Sequence, residues 1–205
     1  MYNTVIVSAV PTVKSHDQDL ATRLVDEAGR ILAAEGVGAL TLRKLATRSG
    51  TSTMAVYTLF GDKQGLLAAM HNEGFARLGA AMAEAAAQSY DDPLSALAAL
   101  GMAYRATAIA NPHLYNLMFG GAVPGFVPDA AGQAAADATF TPLVEAVQRC
   151  LDAHVLAGAD AQTIATYLWA VSHGVVSLAI SGKLMVDEEK AYGDAMVYSV
   201  LPFSP

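Results

Sequence analysis

Basic side chains are concentrated in one short segment of an otherwise acidic chain. Residues 41–63 carry four Lys and Arg against one Asp, a balance of +3, whereas residues 64–205 carry five against thirteen Asp and Glu, a balance of −8. The four basic residues of the segment are Arg43, Lys44, Arg48 and Lys63. Such a distribution attracts phosphate groups to one end of a molecule and repels them from the rest. Polyanion binding is therefore indicated for this segment, with an ordinary solvated charge cluster as the alternative.

Short helices are predicted to position these side chains. Of the 205 residues, 41 are alanine, which has the highest helix propensity, so the whole chain is expected to be all-α. Thr41 is a suitable N-cap, as is Ser52 or Thr51 further along, and Gly50 suits the left-handed residue that ends a helix. Apolar spacing and these signals predict three helices, which run over residues 17–35, over 42–49 and up to Phe60.

The second and third helices have the residue spacing of a helix-turn-helix. Ala46 lies where the two helices must approach closely, Gly50 follows at the turn, and Val56 comes ten residues after Ala46 to fill the shared core. A plain helical hairpin in a bundle is the alternative. Helical hairpins seldom combine this spacing with a basic bias, so the segment is predicted to bind DNA.

The third helix is predicted to present one face to a DNA groove. If Val56, Leu59 and Phe60 face inward, the remaining side chains face outward. The predicted DNA contacts are Thr53, Met54, Ala55, Tyr57 and Thr58 on this face, Thr51 and Ser52 at its start, and Thr41, Arg43 and Lys63 beside it. Hydroxyl groups can bond phosphates or base edges, and Met or Ala can touch a thymine methyl group. Each of these residues also fits a cap or a solvated side chain.

A run of motifs extends from Leu20 to Leu67. It contains Ala33-Ala34-Glu35-Gly36, Leu40-Thr41-Leu42-Arg43, Leu45-Ala46, Gly50, Val56-Tyr57, Phe60, Asp62-Lys63 and Leu66-Leu67. This run resembles the N-terminal domain of tetracycline-repressor (TetR) family transcriptional regulators. The resemblance implies that Tyr57 is the recognition-helix tyrosine, Phe60 a structural aromatic and Lys63 a phosphate-binding lysine. It also implies an all-helical homodimer with a C-terminal ligand-binding domain. Thr51 and Gly61 depart from the family pattern.

The rest of the chain is predicted to be helical except for a Gly- and Pro-rich loop over residues 120–133. The predicted helices run over 63–87, 93–111, 113–119, 134–155, 160–182 and 187–200. These elements predict a flexible tail over residues 1–16, a helix-turn-helix domain over 17–62 and a helical ligand-binding and dimerisation domain over 63–205.

The helix predicted over residues 160–182 is unusually apolar. Residues 161–182 contain no Asp, Glu, Lys or Arg and could span a bilayer by length, but several polar residues favour burial in a protein core or between subunits. Its small residues predict a two-fold dimer interface; they are Ala170, Gly174, Ser177 and Ser181. Trp169, His173 and Gly174 resemble the Trp-His-Gly subclass of TetR C-terminal domains.

Aromatic, histidine and methionine side chains of the C-terminal part can line an apolar cavity with a few polar groups. The candidate ligand-binding residues are Tyr104, His113, Tyr115, Met118, Phe119, Phe126, Trp169 and His173. Plain core packing is the alternative for each. A buried, hydrogen-bonded His173 is the alternative to a ligand-binding or proton-sensing one.

The sequence carries no signature of an enzyme. It has no dinucleotide fingerprint, Walker loop, nucleophile elbow or His-Glu-x-x-His, and Cys150 is the only cysteine. We therefore expect a cytoplasmic protein without catalytic residues, metal, cofactor or membrane span. The predicted function is a ligand-responsive regulator, a repressor, which binds palindromic operator DNA as a homodimer and is released by a small apolar or amphipathic effector. A helical carrier of hydrophobic ligands that does not bind DNA is the alternative, and only residues 41–63 separate the two.

Overall fold

Helices account for all the regular structure in the part of the chain that the computed structural model describes, which is residues 13–119, 121 and 123–205. They are α1 (Val13–Glu35), α2 (Leu42–Arg48), α3 (Thr53–Phe60), α4 (Lys63–Ala87), α5 (Pro93–Ala110), α6 (Pro112–Phe119), α7 (Ala130–Ala138), α8 (Thr141–Asp152), α9 (Ala161–Ile180) and α10 (Glu188–Val200), followed by a 3-10 turn, Leu201–Phe203. The all-α prediction is confirmed.

The chain divides into two compact units, of which the first ends at Ala69 and the second begins at Met70. Helix α4 therefore starts in the first unit and continues in the second. The predicted domain limits, with a boundary at the start of this helix, stay a prediction. Residues 1–12 of the predicted tail lie outside the described residues.

The first unit is built from α1, α2, α3 and the first turns of α4. The predicted N-caps are confirmed: the Lys44 amide donates to Thr41 Oγ1 over 3.2 Å, and the Ala55 amide donates to Ser52 Oγ over 3.0 Å. Gly50 has the left-handed φ of +64° that a helix-ending glycine allows. The buried side chains of this unit include Leu24, Ile31, Leu40, Leu45, Val56 and Leu66. Local capping signals and one shared apolar core thus fix the two short helices.

In the second unit, aspartate residues cap four of the helices. Asp92, Asp129, Asp160 and Asp187 each accept a hydrogen bond from the backbone amide three residues later, at 2.8 to 2.9 Å. These caps place α5, α7, α9 and α10 so that α9 packs on α5, α8 and α10. The core between them holds large buried side chains such as Leu100, Leu156, Ile164 and Tyr192.

The predicted single helix over 134–155 is wrong, and so is the end of the loop predicted over 120–133. Helix α7 already begins at Ala130, because Asp129 caps it, and it ends at Ala138. Helix α8 begins separately at Thr141. Pro142 lacks an N–H and its ring excludes the preceding turn of a continuous helix, so a break before it is required. Thr139 and Phe140 form the connecting turn.

Helix α9 is, among the described helices, the one that is long and apolar enough to cross a membrane by length and composition. One of its faces, which carries Ile164, Ala165 and Val176, is buried in the core of the second unit. Its opposite face exposes Tyr167 and Leu178.

Candidate functional site

One face of α3 is exposed in the first unit. Met54 is 74% exposed and Tyr57 is 51% exposed, although both carry large apolar groups. Thr58 is exposed beside them, whereas Val56 on the opposite face is fully buried. Two large apolar side chains left in water on an eight-residue helix indicate a surface that a partner covers.

The other residues predicted to contact DNA surround this face. Thr53 and Ala55 are half-buried on α3. Thr51, in the turn before α3, is also half-buried, and its amide donates to the Ala46 carbonyl over 3.0 Å. Arg43 is exposed on α2, one residue after the buried Leu42.

Three predicted contact residues use their hydroxyl groups within the protein. Thr41 and Ser52 accept hydrogen bonds as N-caps, and Thr58 Oγ1 donates to the Met54 carbonyl over 2.9 Å. A capping hydroxyl accepts through a lone pair and keeps its hydrogen for another acceptor. Thr41 and Ser52 can therefore cap a helix and donate to a phosphate oxygen at the same time.

Of the four basic side chains in residues 41–63, Lys44 and Arg48 form ion pairs with carboxylates of the first unit, and Lys63 binds a backbone carbonyl. Lys44 binds Glu35, and Arg48 lies 2.6 Å from a Glu27 carboxylate oxygen. The hydrogen bond from Lys44, together with the charges of Lys44 and Arg48, lowers the pKa of Glu35. These pairs tie α2 to α1 and reduce the positive charge that is available to a polyanion.

Lys63 and Arg43 differ from those two. Lys63 Nζ donates to the Val37 carbonyl over 2.5 Å, which fixes its position, and it makes no ion pair with a described carboxylate. Arg43 makes no ion pair with any described residue. Glu27 and Glu35 precede residues 41–63, so the charge balance of that segment does not include the two carboxylates that pair with Lys44 and Arg48.

The second unit contains a cavity of about 960 Å³. Four of the eight predicted ligand-binding residues line it: Tyr104, Met118, Phe119 and Trp169. Its lining also includes His71, Phe140 and Met196, which the sequence analysis did not select. A cavity of this size with a mainly apolar wall and a few polar groups is typical of a small-molecule site.

Two further predicted ligand residues, Tyr115 and His173, lie behind Tyr104 and outside the lining. The Tyr115 hydroxyl is 2.7 Å and the Tyr104 hydroxyl 3.0 Å from His173 Nδ1, and the two hydroxyls are 3.0 Å apart. Burial lowers the pKa of His173 and raises the pKa of both tyrosines. All three groups are thus neutral near pH 7. The two hydroxyl groups and Nδ1 are thus hydrogen-bonded to one another, which satisfies the cluster.

The remaining candidates lie elsewhere. His113 is half-buried on α6, and the Phe126 ring lies 5.8 Å from the ring of the cavity residue His71. On α9, Ala170 and Ser181 are exposed and Gly174 and Ser177 are half-buried; a Cβ on Gly174 would meet no atom within 4 Å. This glycine therefore has no packing role inside the described part of the chain.

Two family models match the sequence. The one described as "Tetracyclin repressor-like, C-terminal domain" matches residues 97–200, and "Bacterial regulatory proteins, tetR family" matches residues 24–70. No curated protein matches the sequence.

Solved structures with the same fold are numerous. A protein of unknown function from Rhodococcus sp. RHA1 has 28% identity and a TM-score of 0.77, over 99% of this chain and 100% of its own. The TetR family transcriptional regulator PfmR from Thermus thermophilus has 20% identity and a TM-score of 0.69, over 88% and 97% of the two chains. The SmeT–triclosan complex has 20% identity and a TM-score of 0.68, over 92% and 93%. The last two likenesses concern the fold alone.

Proposed function

Because this chain belongs to the tetracycline-repressor (TetR) family of bacterial transcriptional regulators, we propose that it is a ligand-responsive repressor. It binds palindromic operator DNA as a homodimer, and a small apolar or amphipathic effector releases it. The observation that carries the proposal is the exposed face of α3, with Met54 and Tyr57 in water, and near it on α2 an Arg43 that makes no ion pair with any described residue.

Recognition by this face relies on few base-specific hydrogen bonds. The helix has no Arg, Asn or Gln, so bidentate contacts to guanine or adenine are absent from α3. Met54 provides apolar contact to thymine methyl groups, and the Tyr57 hydroxyl binds a phosphate oxygen. DNA shape supplies the remaining specificity.

Dimer formation is supported by the apolar residues that α9 and α10 expose. These include Tyr167 and Leu178 on α9 and Val197, Tyr198 and Leu201 on or just after α10. A two-fold axis through these helices buries the same patch on both copies. On the operator, the two α3 helices of the dimer enter successive major grooves, about one duplex turn apart.

Helix α4 couples the effector to DNA in this proposal. It begins at Lys63 beside α3, and its residues His71, Phe75 and Met82 line the cavity. A ligand can bind more tightly when α4 is in a position that is incompatible with DNA. Such a ligand lowers the affinity for DNA by the ratio of its own affinities for the two conformations. DNA lowers the affinity for the ligand by the same factor. The protein acts in the cytoplasm, where the DNA is, and needs no catalytic group.

Selection of bound sites from random duplex DNA tests the proposal. We expect a palindrome with half-sites about one helical turn apart. The Met54→Ala variant should lose enrichment of that site, whereas Met185→Ala, which alters an exposed methionine of the α9–α10 loop, should keep it. Failure of the wild-type protein to enrich any duplex at low salt would reject the proposal in favour of a ligand carrier.

A further inference from the structure

Four ionisable side chains line the cavity in the part of the chain that the structure describes. They are His71, Tyr104, Asp137 and Glu145, and no Lys or Arg belongs to the lining that the structure describes. Asp137 and Glu145 are exposed, so they lie where the cavity meets solvent. Neither forms an ion pair with a described Lys or Arg. The mouth of the cavity therefore carries two uncompensated negative charges.

The Asp137 carboxylate keeps capacity for a ligand. It accepts one hydrogen bond, from Gln133 Nε2 over 2.9 Å. A carboxylate can accept about four. Asp137 is also the penultimate residue of α7, where the partial negative charge of the helix C-terminus adds to its own.

Aromatic rings form part of the cavity wall behind these carboxylates. Trp169 lies 6.2 Å from Phe119 and 6.1 Å from Phe140 between ring centroids, and all three line the cavity. The face of an indole ring is the most favourable aromatic surface for a cation, and its area also suits an apolar chain. The wall is therefore compatible with either part of an amphipathic cation.

The N-termini of α5 and α9 reach the cavity wall through Leu94 and Gln162, but the carboxylates of Asp92 and Asp160 cap those two helices. The N-terminus of α8 has no such carboxylate cap, and it could attract an anion because Thr141 begins that helix and lines the cavity. Its amides offer little to an anion. Pro142 has no N–H, and the amides of Leu143 and Val144 both donate to the Phe140 carbonyl, over 3.2 and 3.3 Å. Glu145 then places a negative charge in the first turns of the same helix. An anionic group at the N-terminus of α8 would meet repulsion from Glu145, and the amides of Leu143 and Val144 would not compensate for it.

We propose that the cavity selects amphipathic cations, with an ammonium or quaternary ammonium group at Asp137 and Glu145 and an apolar body against Trp169. The inference names the chemical class of the effector and rests on the effector site proposed above. Carboxylic acids with the same apolar body bind more weakly, because the two carboxylates repel them.

Three probes with the same decyl tail test the proposal: decyltrimethylammonium, decanol and decanoate, each below its micelle concentration. Trp169 is the only tryptophan of the chain and lines the cavity, so its fluorescence reports binding to the full-length protein. We expect the cation to bind about tenfold more tightly than decanoate, with decanol between them, since exposed carboxylates make only modest contributions to binding. Added salt should weaken binding of the cation and leave decanol unchanged.

A matched pair of double variants assigns the effect to the two carboxylates. Asp137→Asn with Glu145→Gln should reduce the preference for the cation to less than about threefold. Asp152→Asn with Glu189→Gln is the control: Asp152 accepts from Gln148 as Asp137 does from Gln133, and neither control residue lines the cavity. The control should keep the full preference.

The outcomes separate this inference from the function on which it rests. Decanoate binding as tightly as the cation, cation binding that does not respond to salt, or equal losses in the two double variants would overturn the selection of cations and leave the effector site in place. Failure of all three probes to bind the wild-type protein would overturn both.

Discussion

Arg43 and Lys44 are neighbours on α2 with the same charge and different surroundings. Lys44 binds Glu35, whereas Arg43 has no ion-pair partner among the described residues. Replacing Arg43 with Ala should therefore weaken binding to all DNA sequences and reduce the slope of log affinity against log salt concentration by about one. Fluorescence anisotropy over a salt series measures that slope.

Lys44→Ala is the control for Arg43. Because Lys44 is already neutralised by Glu35, its removal should change the slope by less than the removal of Arg43. Equal slopes for Arg43→Ala and the wild type would remove Arg43 from the phosphate contacts.

His173 gives the stability of the protein a dependence on pH. Burial lowers its pKa in the folded state, so the unfolded chain binds more protons as the pH falls through the ordinary pKa of histidine, about 6.5. The free energy of unfolding should therefore decrease on acidification from neutral pH. His173→Asn, whose amide oxygen can still accept from Tyr115, should lose this part of the pH dependence in urea unfolding.

His154 provides the comparison for that measurement. It is exposed, and its φ of +58° is one that Asn adopts readily, so His154→Asn should fold normally and keep the wild-type pH dependence. The same pH dependence in His173→Asn as in the wild type would show that the buried histidine does not couple to folding.

At the scale of elements, Gly65 fixes the junction between α3 and α4. A Cβ at Gly65 would lie 1.9 Å from the backbone oxygen of Phe60, which cannot move aside as a side chain does. Gly65→Ala should destabilise the protein by roughly 1–3 kcal/mol and weaken DNA binding. Chemical denaturation and DNA titration measure the two effects.

Gly79 lies on the same helix and gives the opposite expectation. A Cβ there would make an ordinary contact of 3.5 Å with Thr139, so Gly79→Ala should be neutral or stabilise by up to about 1 kcal/mol. Equal stability of the two alanine variants would contradict the proposed close approach at Gly65.

The features that the sequence predicts well are those that depend on residues close together in the chain. Thr41, Ser52 and Gly50 act on backbone groups a few residues away, so the limits of α2 and α3 follow from the order of residues alone. The break before Pro142 was also readable, but the long run of alanines around it favoured one helix. Turn chemistry outweighed helix propensity there.

Only four of the eight predicted ligand-binding residues line the cavity, because its wall is assembled from segments that are distant in the sequence. Tyr104 and Trp169 were selected for their ring types, while His71 lines the cavity because α4 passes beside α7, where Gly132 permits close approach. The ion pair between Arg48 of α2 and Glu27 of α1 likewise joins residues that are distant in the sequence. Contacts of this kind depend on packing that no local pattern records.

At the scale of the whole molecule, charge separates the proposed roles of the two parts of the chain. Residues 64–205 carry a balance of −8, and residues 41–63 carry +3 before the internal pairs of Lys44 and Arg48 are considered. An acidic remainder repels the duplex except where α2 and α3 meet it. A dimer strengthens this orientation because it presents two such segments to one duplex.

Gly174 offers a test of that dimer that leaves the single chain intact. A Cβ at this position meets no atom within 4 Å, and leucine favours a helix over glycine by up to about 1 kcal/mol. Gly174→Leu should thus fold at least as well as the wild type while its larger side chain separates the two α9 helices. Sedimentation velocity should show a shift from dimer to monomer and DNA binding should weaken. Gly38→Leu, at an exposed position of the α1–α2 loop that also has nothing within 4 Å, should remain dimeric. The proposed interface needs its smallest residue at position 174, and a packed pair of α9 helices could not accept two leucines there. A Gly174→Leu protein that sediments as an intact dimer would therefore place the interface elsewhere.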